Sequence, residues 1–154
     1  MIENSIESNR INGIIGVDEY LGLYNADELE KENTVLISMF DPSHNIHPDS
    51  KIQGFDDVLQ MNFWDIDSDF GAYKTLTDEQ GKEIRDFILK NKEKQFLIHC
   101  AAGVSRSAAV GCAVGTLLDN IKWEENEIQI HWRYDPNFAV YNKITGLDVR
   151  SIDV

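Results

Sequence analysis

The sequence predicts a three-layer α/β protein: a central, mostly parallel sheet of about four to five strands flanked by helices. Three observations carry this. Short apolar runs such as "TVLISMF" (residues 34–40) have the unbroken hydrophobicity of strands covered on both faces. Helical patterns separate these runs, and strands alternating with helices build parallel sheets. The 154 residues hold no repeat, low-complexity tract or Pro/Gly-rich linker, so one domain over 1–154 is expected.

In chain order, "INGIIGV" (11–17) reads as the first strand, and "EYLGL" either continues it or turns into the next element. "NADELEKEN" (25–33) is polar around Leu29 and reads as a short helix or helical turn. Residues 34–40 form the second strand. "DPSHNIHPDSKIQGFDD" (41–57) is a long polar loop with two prolines, and "VLQMNFW" (58–64) is the third strand. The next helix is the clearest: Thr77 is its N-cap, Gln80 completes a capping box, and Ile84, Phe87 and Ile88 share a face. "QFLIH" (95–99) is the fourth strand. "RSAAVGCAVGTLLD" (106–119) is a helix whose Gly111 and Gly115 trade propensity for close approach to the sheet. "WEENEIQIHW" (123–132) and "PNFAVYNKI" (136–144) read as two more helices, with Pro136 at the first position of the second.

Composition narrows the function. A 42% hydrophobic content with 10% aromatics suits a globular chain and is too apolar for disorder. Fourteen Lys and Arg against 27 Asp and Glu give a net charge of −13, which disfavours nucleic acid or an anionic membrane as partner. No apolar run approaches the roughly 20 residues of a membrane span. The opening "MIENSIESNRING" lacks a signal-peptide pattern, so a soluble cytoplasmic protein is expected. Two cysteines make no disulfide framework; Cys112 reads as a small buried apolar residue in a reducing compartment.

Cys100 reads otherwise. It stands in "HCAAGVSRS" (99–107), between a buried strand and a helix, where open α/β sheets place their chemistry. The small residues Ala101, Ala102, Gly103, Val104 and Ser105 let backbone N–H groups converge on one point. The helix beginning near Arg106 adds its free N–H groups and partial positive charge. Together they form a cradle for a tetrahedral dianion, and the Arg106 fork can hold two of its oxygens. A cysteine beside a helix N-terminus and an arginine is expected to work as the thiolate. Cys100 would then be a nucleophile facing phosphorus, with Ser107 placed to hydrogen-bond the sulfur as it leaves. His99 is expected to fix the loop rather than take a proton.

The stretch resembles the His-Cys-x-x-Gly-x-x-Arg-Ser/Thr signature of the protein tyrosine phosphatase superfamily at every specified position. Such a match arises by chance on the order of once in a million starting positions. The chain's length, its "IIGVDEYLGLYNADEL" and its "PNFAVYNKI" are similar, more loosely, to the small dual-specificity branch. The resemblance implies hydrolysis of phosphate monoesters through a phosphocysteine intermediate, without cofactor or metal. It also implies an aspartate that protonates the leaving oxygen and then activates water. That acid follows the third strand, where "FWDIDSD" offers Asp65, Asp67 and Asp69; Asp65 comes first off the strand and is the choice, with the other two as alternatives.

Phosphatases of inositol lipids often carry lysines in this loop, and RNA 5′-phosphatases a second histidine and an asparagine; all are absent here. The expected substrate is therefore a phosphorylated protein or peptide, with phosphotyrosine alone or together with phosphoserine and phosphothreonine. The competing readings are a silent phospho-binding pseudophosphatase, a phosphatase of a non-protein monoester, and a reductase or rhodanese-like transferase. Outside the loop, His44 and His47 form an H-x-x-H pair in the polar loop that reads as solvated rather than metal-binding. Trp123, Trp132 and Tyr134 read as packing aromatics.

Overall fold

A computed structural model of the chain describes residues 10–150. Four strands, β1 (Ile11–Gly16), β2 (Thr34–Phe40), β3 (Asp57–Asn62) and β4 (Gln95–Cys100), form one sheet in the order β1-β4-β2-β3. All three pairings are parallel. Between and after them run helices α1 (Val17–Asn25), α2 (Asp78–Lys90), α3 (Arg106–Asp119) and α4 (Phe138–Thr145). The three-layer α/β class expected from the sequence is the one observed.

Alternation along the strands builds two cores. Val35, Ile37, Phe96 and Ile98 face α2, α3 and α4, where Ile84, Val110, Val114, Val140 and Tyr141 close the larger core. Ile15, Leu36 and Leu97 face the other way, onto Tyr20 of α1. The central strand β4 is buried from Phe96 to Cys100, so its C-terminal end is held on every side. Helix α3 lies close on β1 because Gly111 has no side chain: a Cβ there would stand 2.7 Å from the Ile14 Cδ1.

The capping box of α2 is present. Thr77 Oγ1 accepts the Gln80 N–H at 3.1 Å, and Gln80 Oε1 accepts the Thr77 N–H at 3.0 Å. Gln80 Nε2 also donates to the Asn62 carbonyl at 3.0 Å, tying the start of α2 to the end of β3.

Of four local expectations, one left open is resolved and three are corrected. "EYLGL" belongs to α1, which begins straight after β1 with Asp18 and Glu19 in its first turn, where acids suit the helix dipole. Residues 26–33 are two turns joined by irregular chain instead of a helix, with Asp27 and Asn33 at φ 57° and 56°. Residues 123–132 break into two 3₁₀ turns, Trp123–Glu125 and Glu127–Ile130, because the Asn126 side chain accepts the Ile128 N–H and caps a new turn. Pro136 precedes α4: Asn137 is the cap, its Oδ1 accepting the N–H groups of Ala139 and Val140.

Candidate active site

The loop after β4 is locked by its neighbours. Gly103 has φ +73°, and a Cβ there would run into the backbone of Ile15 and Gly16. The Val17 N–H donates to the Ala101 carbonyl at 3.1 Å, so the start of α1 holds one side of the loop. On the other side, the N–H groups of Asp135 and Asn137 donate to the carbonyls of Val104 and Ser105 at 3.0 and 3.2 Å.

Cys100 is 2% exposed at the floor of this loop. Its Sγ accepts the Gly103 N–H at 3.3 Å and lies 3.2 Å from the Ser107 Oγ. Both groups can donate to a thiolate, which lowers the energy of negative sulfur. Ser105 makes no side-chain cap, so its hydroxyl does not occupy the first N–H groups of α3.

Arg106, the first residue of α3, is 3% exposed. Its Nη1 donates to the Phe63 carbonyl at 2.7 Å and to Asp41 Oδ1 at 2.8 Å, and its guanidinium stands 5.7 Å from the Phe63 ring centre. Among the described residues its buried Nε has no hydrogen-bond partner. A buried, unpaired donor on a charged group costs on the order of 1–3 kcal/mol, a deficit that an anion within its reach would remove.

Among the three aspartates, the structure brings Asp65 to the loop. Its Oδ1 accepts from Ser105 Oγ at 2.9 Å and from Asn137 Nδ2 at 3.0 Å. The same Asn137 Nδ2 donates to the Ile66 carbonyl at 3.0 Å, which fixes the segment after Phe63. Among the described residues, Asp67 accepts a side-chain hydrogen bond only from the neighbouring Ser68. Asp69 is held in the turn closed by Phe70 and Tyr73, where the Thr75 N–H and hydroxyl and then Lys74 lower its pKa, the wrong direction for a proton donor.

His99 is fully buried, with Nδ1 3.4 Å from the Cys100 carbonyl and Nε2 2.7 Å from Ser38 Oγ. Cys112 is a free, buried thiol whose pKa burial pushes up, as suits an inert core residue. Three residues at or behind the site were not foreseen. Asp41 and His47 lie in the polar loop read as solvated; His44 is exposed there, but His47 is buried against His99. Asn137 could have been read, since an Asn before an apolar run is a cap signal. Trp132, expected to pack, is 80% exposed, whereas Trp123 and Tyr134 are buried.

No protein-family model matches the chain, and no curated protein matches it. Solved structures do. Tk-PTP in its active form aligns with TM-score 0.64 at 18% identity, over 95% of this chain and 99% of that one. PTPMT1 in complex with PI(5)P gives 0.54 at 16% identity, over 90% of each. The human tyrosine phosphatase-like serine/threonine/tyrosine-interacting protein gives 0.51 at 21% identity, over 73% of this chain and 74% of that one. The fold is that of the protein tyrosine phosphatases. On that fold this chain places Cys100 and Arg106 at the two ends of the loop between β4 and α3, with the Gly103 N–H turned to the Cys100 sulfur.

Proposed function

We propose that the chain is a cysteine-dependent protein phosphatase, one catalytic domain acting in the reducing cytoplasm, where both thiols stay free. The observation that carries this is the Cys100 sulfur in a cradle beside a buried arginine whose Nε has no partner. Arg106 and the N–H groups of residues 101–106 hold the phosphoryl oxygens. The Cys100 thiolate forms the S–P bond while the bond to the leaving oxygen breaks, and Asp65 gives that oxygen its proton. Water then attacks phosphorus, Asp65 takes a proton from it, and the S–P bond breaks with Ser107 donating to the departing thiolate. No step calls for a cofactor or metal.

The substrate reading rests on the loop's Ala101, Ala102 and Val104, which offer a polyanionic headgroup no added cation. One solved structure of this fold holds PI(5)P, so the lipid belongs among the alternatives tested. Among the described residues no helix is long and apolar enough to cross a membrane. The test is phosphate release, without added metal, from phosphotyrosine, phosphothreonine, inositol-lipid and RNA 5′-phosphate substrates, beside Cys100→Ser. Release from phosphopeptides that disappears in the variant is expected. Binding without release would establish a pseudophosphatase, and release that survives Cys100→Ser would overturn the cysteine mechanism.

A further inference from the structure

The polar loop between β2 and β3 sends one side chain inward. His47 is 7% exposed, and its backbone is clamped by Gln60 of β3. The His47 N–H donates to Gln60 Oε1 at 2.9 Å, and Gln60 Nε2 donates to the His47 carbonyl at 3.1 Å. Asn62 Nδ2 donates to the carbonyls of Asp41 and His44, both at 3.1 Å, and the Tyr20 hydroxyl donates to the Lys51 carbonyl at 2.6 Å. The ring of His47 thereby enters a slot it shares with His99. Tyr20 stacks on both rings at 4.8 Å, and Phe40 meets them edge-on at 4.8 and 5.3 Å.

Inside the slot, His47 Nε2 lies 2.9 Å from His99 Nε2, which Ser38 Oγ also approaches at 2.7 Å. Three groups around one ring determine where the protons sit. The Cys100 carbonyl can only accept, so the facing His99 Nδ1 carries the ring proton and Nε2 carries the lone pair. That one lone pair is shared by two donors, His47 Nε2–H and the Ser38 hydroxyl, in a bifurcated bond. Burial keeps the rings neutral. It is the main cause pushing the His99 pKa down to about 3, with His47 and then Arg106 adding to it, and it also lowers that of His47.

We infer that His47 is a positioning residue of the phosphate loop: its N–H bond to His99 selects the tautomer that turns an N–H toward the Cys100 carbonyl, and so orients the nucleophile. With the other tautomer, a lone pair on His99 Nδ1 would face the carbonyl oxygen, and the peptide after Cys100 would be pushed out of place. The inference rests on the phosphatase reading, but it can be tested apart from it.

His47→Phe keeps a ring in the slot and removes the donor; His47→Gln keeps an N–H within reach of the same place. Three readouts serve: histidine ring ¹⁵N shifts, the alkylation rate of Cys100 by iodoacetamide near neutral pH, and turnover of an aryl phosphate. In the wild type, His99 should show the Nδ1–H tautomer. In His47→Phe, it should become a tautomer mixture, with alkylation and kcat each falling about 10-fold and KM changing less than about 2-fold. His47→Gln should restore most of both rates and the single tautomer. A single Nδ1–H tautomer and wild-type alkylation in His47→Phe would overturn the inference, as would equal losses in the Phe and Gln variants. If the wild type released no phosphate, the phosphatase reading would fail, while the ring shifts and alkylation would still decide the role of His47.

Discussion

Asp41→Asn removes a charge at the arginine while keeping the side chain's shape. Asp41 Oδ1 stands 2.8 Å from Arg106 Nη1, in a pair where the arginine side chain is 3% exposed and the aspartate 26%. A hydrogen bond to a charged group contributes about 1.5–3 kcal/mol. Taking one partner from a fully buried pair costs about 3–5 kcal/mol, because the remaining charge is stranded. Here the Phe63 carbonyl stays on the same nitrogen and the asparagine oxygen can still accept, so the lower range applies: about 1.5–3 kcal/mol of folding stability. Phosphate changes the balance. In the wild type a bound dianion and the Asp41 carboxylate share one guanidinium, and like charges about 4 Å apart repel by about 1 kcal/mol even at the screening of bulk water. The variant lacks that repulsion, so inorganic phosphate should bind it several-fold more tightly and recover part of the lost stability. Turnover should fall about 10-fold all the same, because one of the two contacts that aim Arg106 changes from a charge-assisted bond to a weaker neutral one. Urea unfolding with and without phosphate, together with aryl phosphate kinetics, reads all three effects. A variant as stable as the wild type, or phosphate stabilising both proteins equally, would refute the assigned role of Asp41.

Asp65→Ala should slow turnover of substrates with poor leaving groups by about 10²–10⁴-fold, while Asp67→Ala and Asp69→Ala stay near the wild type. If Asp67→Ala shows the larger loss, the acid is misassigned. Gly103→Ala puts a Cβ at φ +73° against the backbone of Ile15 and Gly16. The conformational cost of about 1–3 kcal/mol and the overlap should deform the loop, and calorimetry should find phosphate binding abolished. The pKa of His99 is about 3 in the folded chain, against about 6.5 when unfolded. Between those values the unfolded chain binds the extra proton, so this contribution is intact above about pH 6.5 and is lost at about 1.4 kcal/mol per pH unit as acid is added. Urea midpoints that stay level from about pH 7 down to about pH 5 would contradict it.

What could be read from the sequence was what neighbouring residues decide. Strand β2, the Thr77–Gln80 capping box and the 99–107 loop each announce themselves within ten residues. Helix α1 did not, because Gly16 stands at its N-cap without a side-chain bond, and only Asp18 and Glu19 mark the first turn. The break at Asn126 was hidden for a related reason: one side-chain cap overrode a plausible helical period. The supporting groups of the site were hidden for a different one. Asp41 meets Arg106 across 65 positions and His47 meets His99 across 52, and a polar loop's composition does not say which of its members turn inward.

The net charge of −13 and the proposed dianion-binding site are reconciled by distance. At physiological salt, exposed charges are largely screened beyond about 8 Å, so most of the acidic surface acts weakly on a bound phosphate. What decides affinity is the first few ångströms, where the structure sets a desolvated guanidinium, the start of α3 and the Gly103 N–H against two nearby carboxylates. Each of those carboxylates is already engaged: Asp41 with Arg106, and Asp65 with Ser105 and Asn137. Their presence is useful to the proposed chemistry, since one aims the arginine and the other must give and take a proton beside the anion. The acidity of the rim and the basicity of the cradle are thus two halves of one arrangement, and the local half determines what binds.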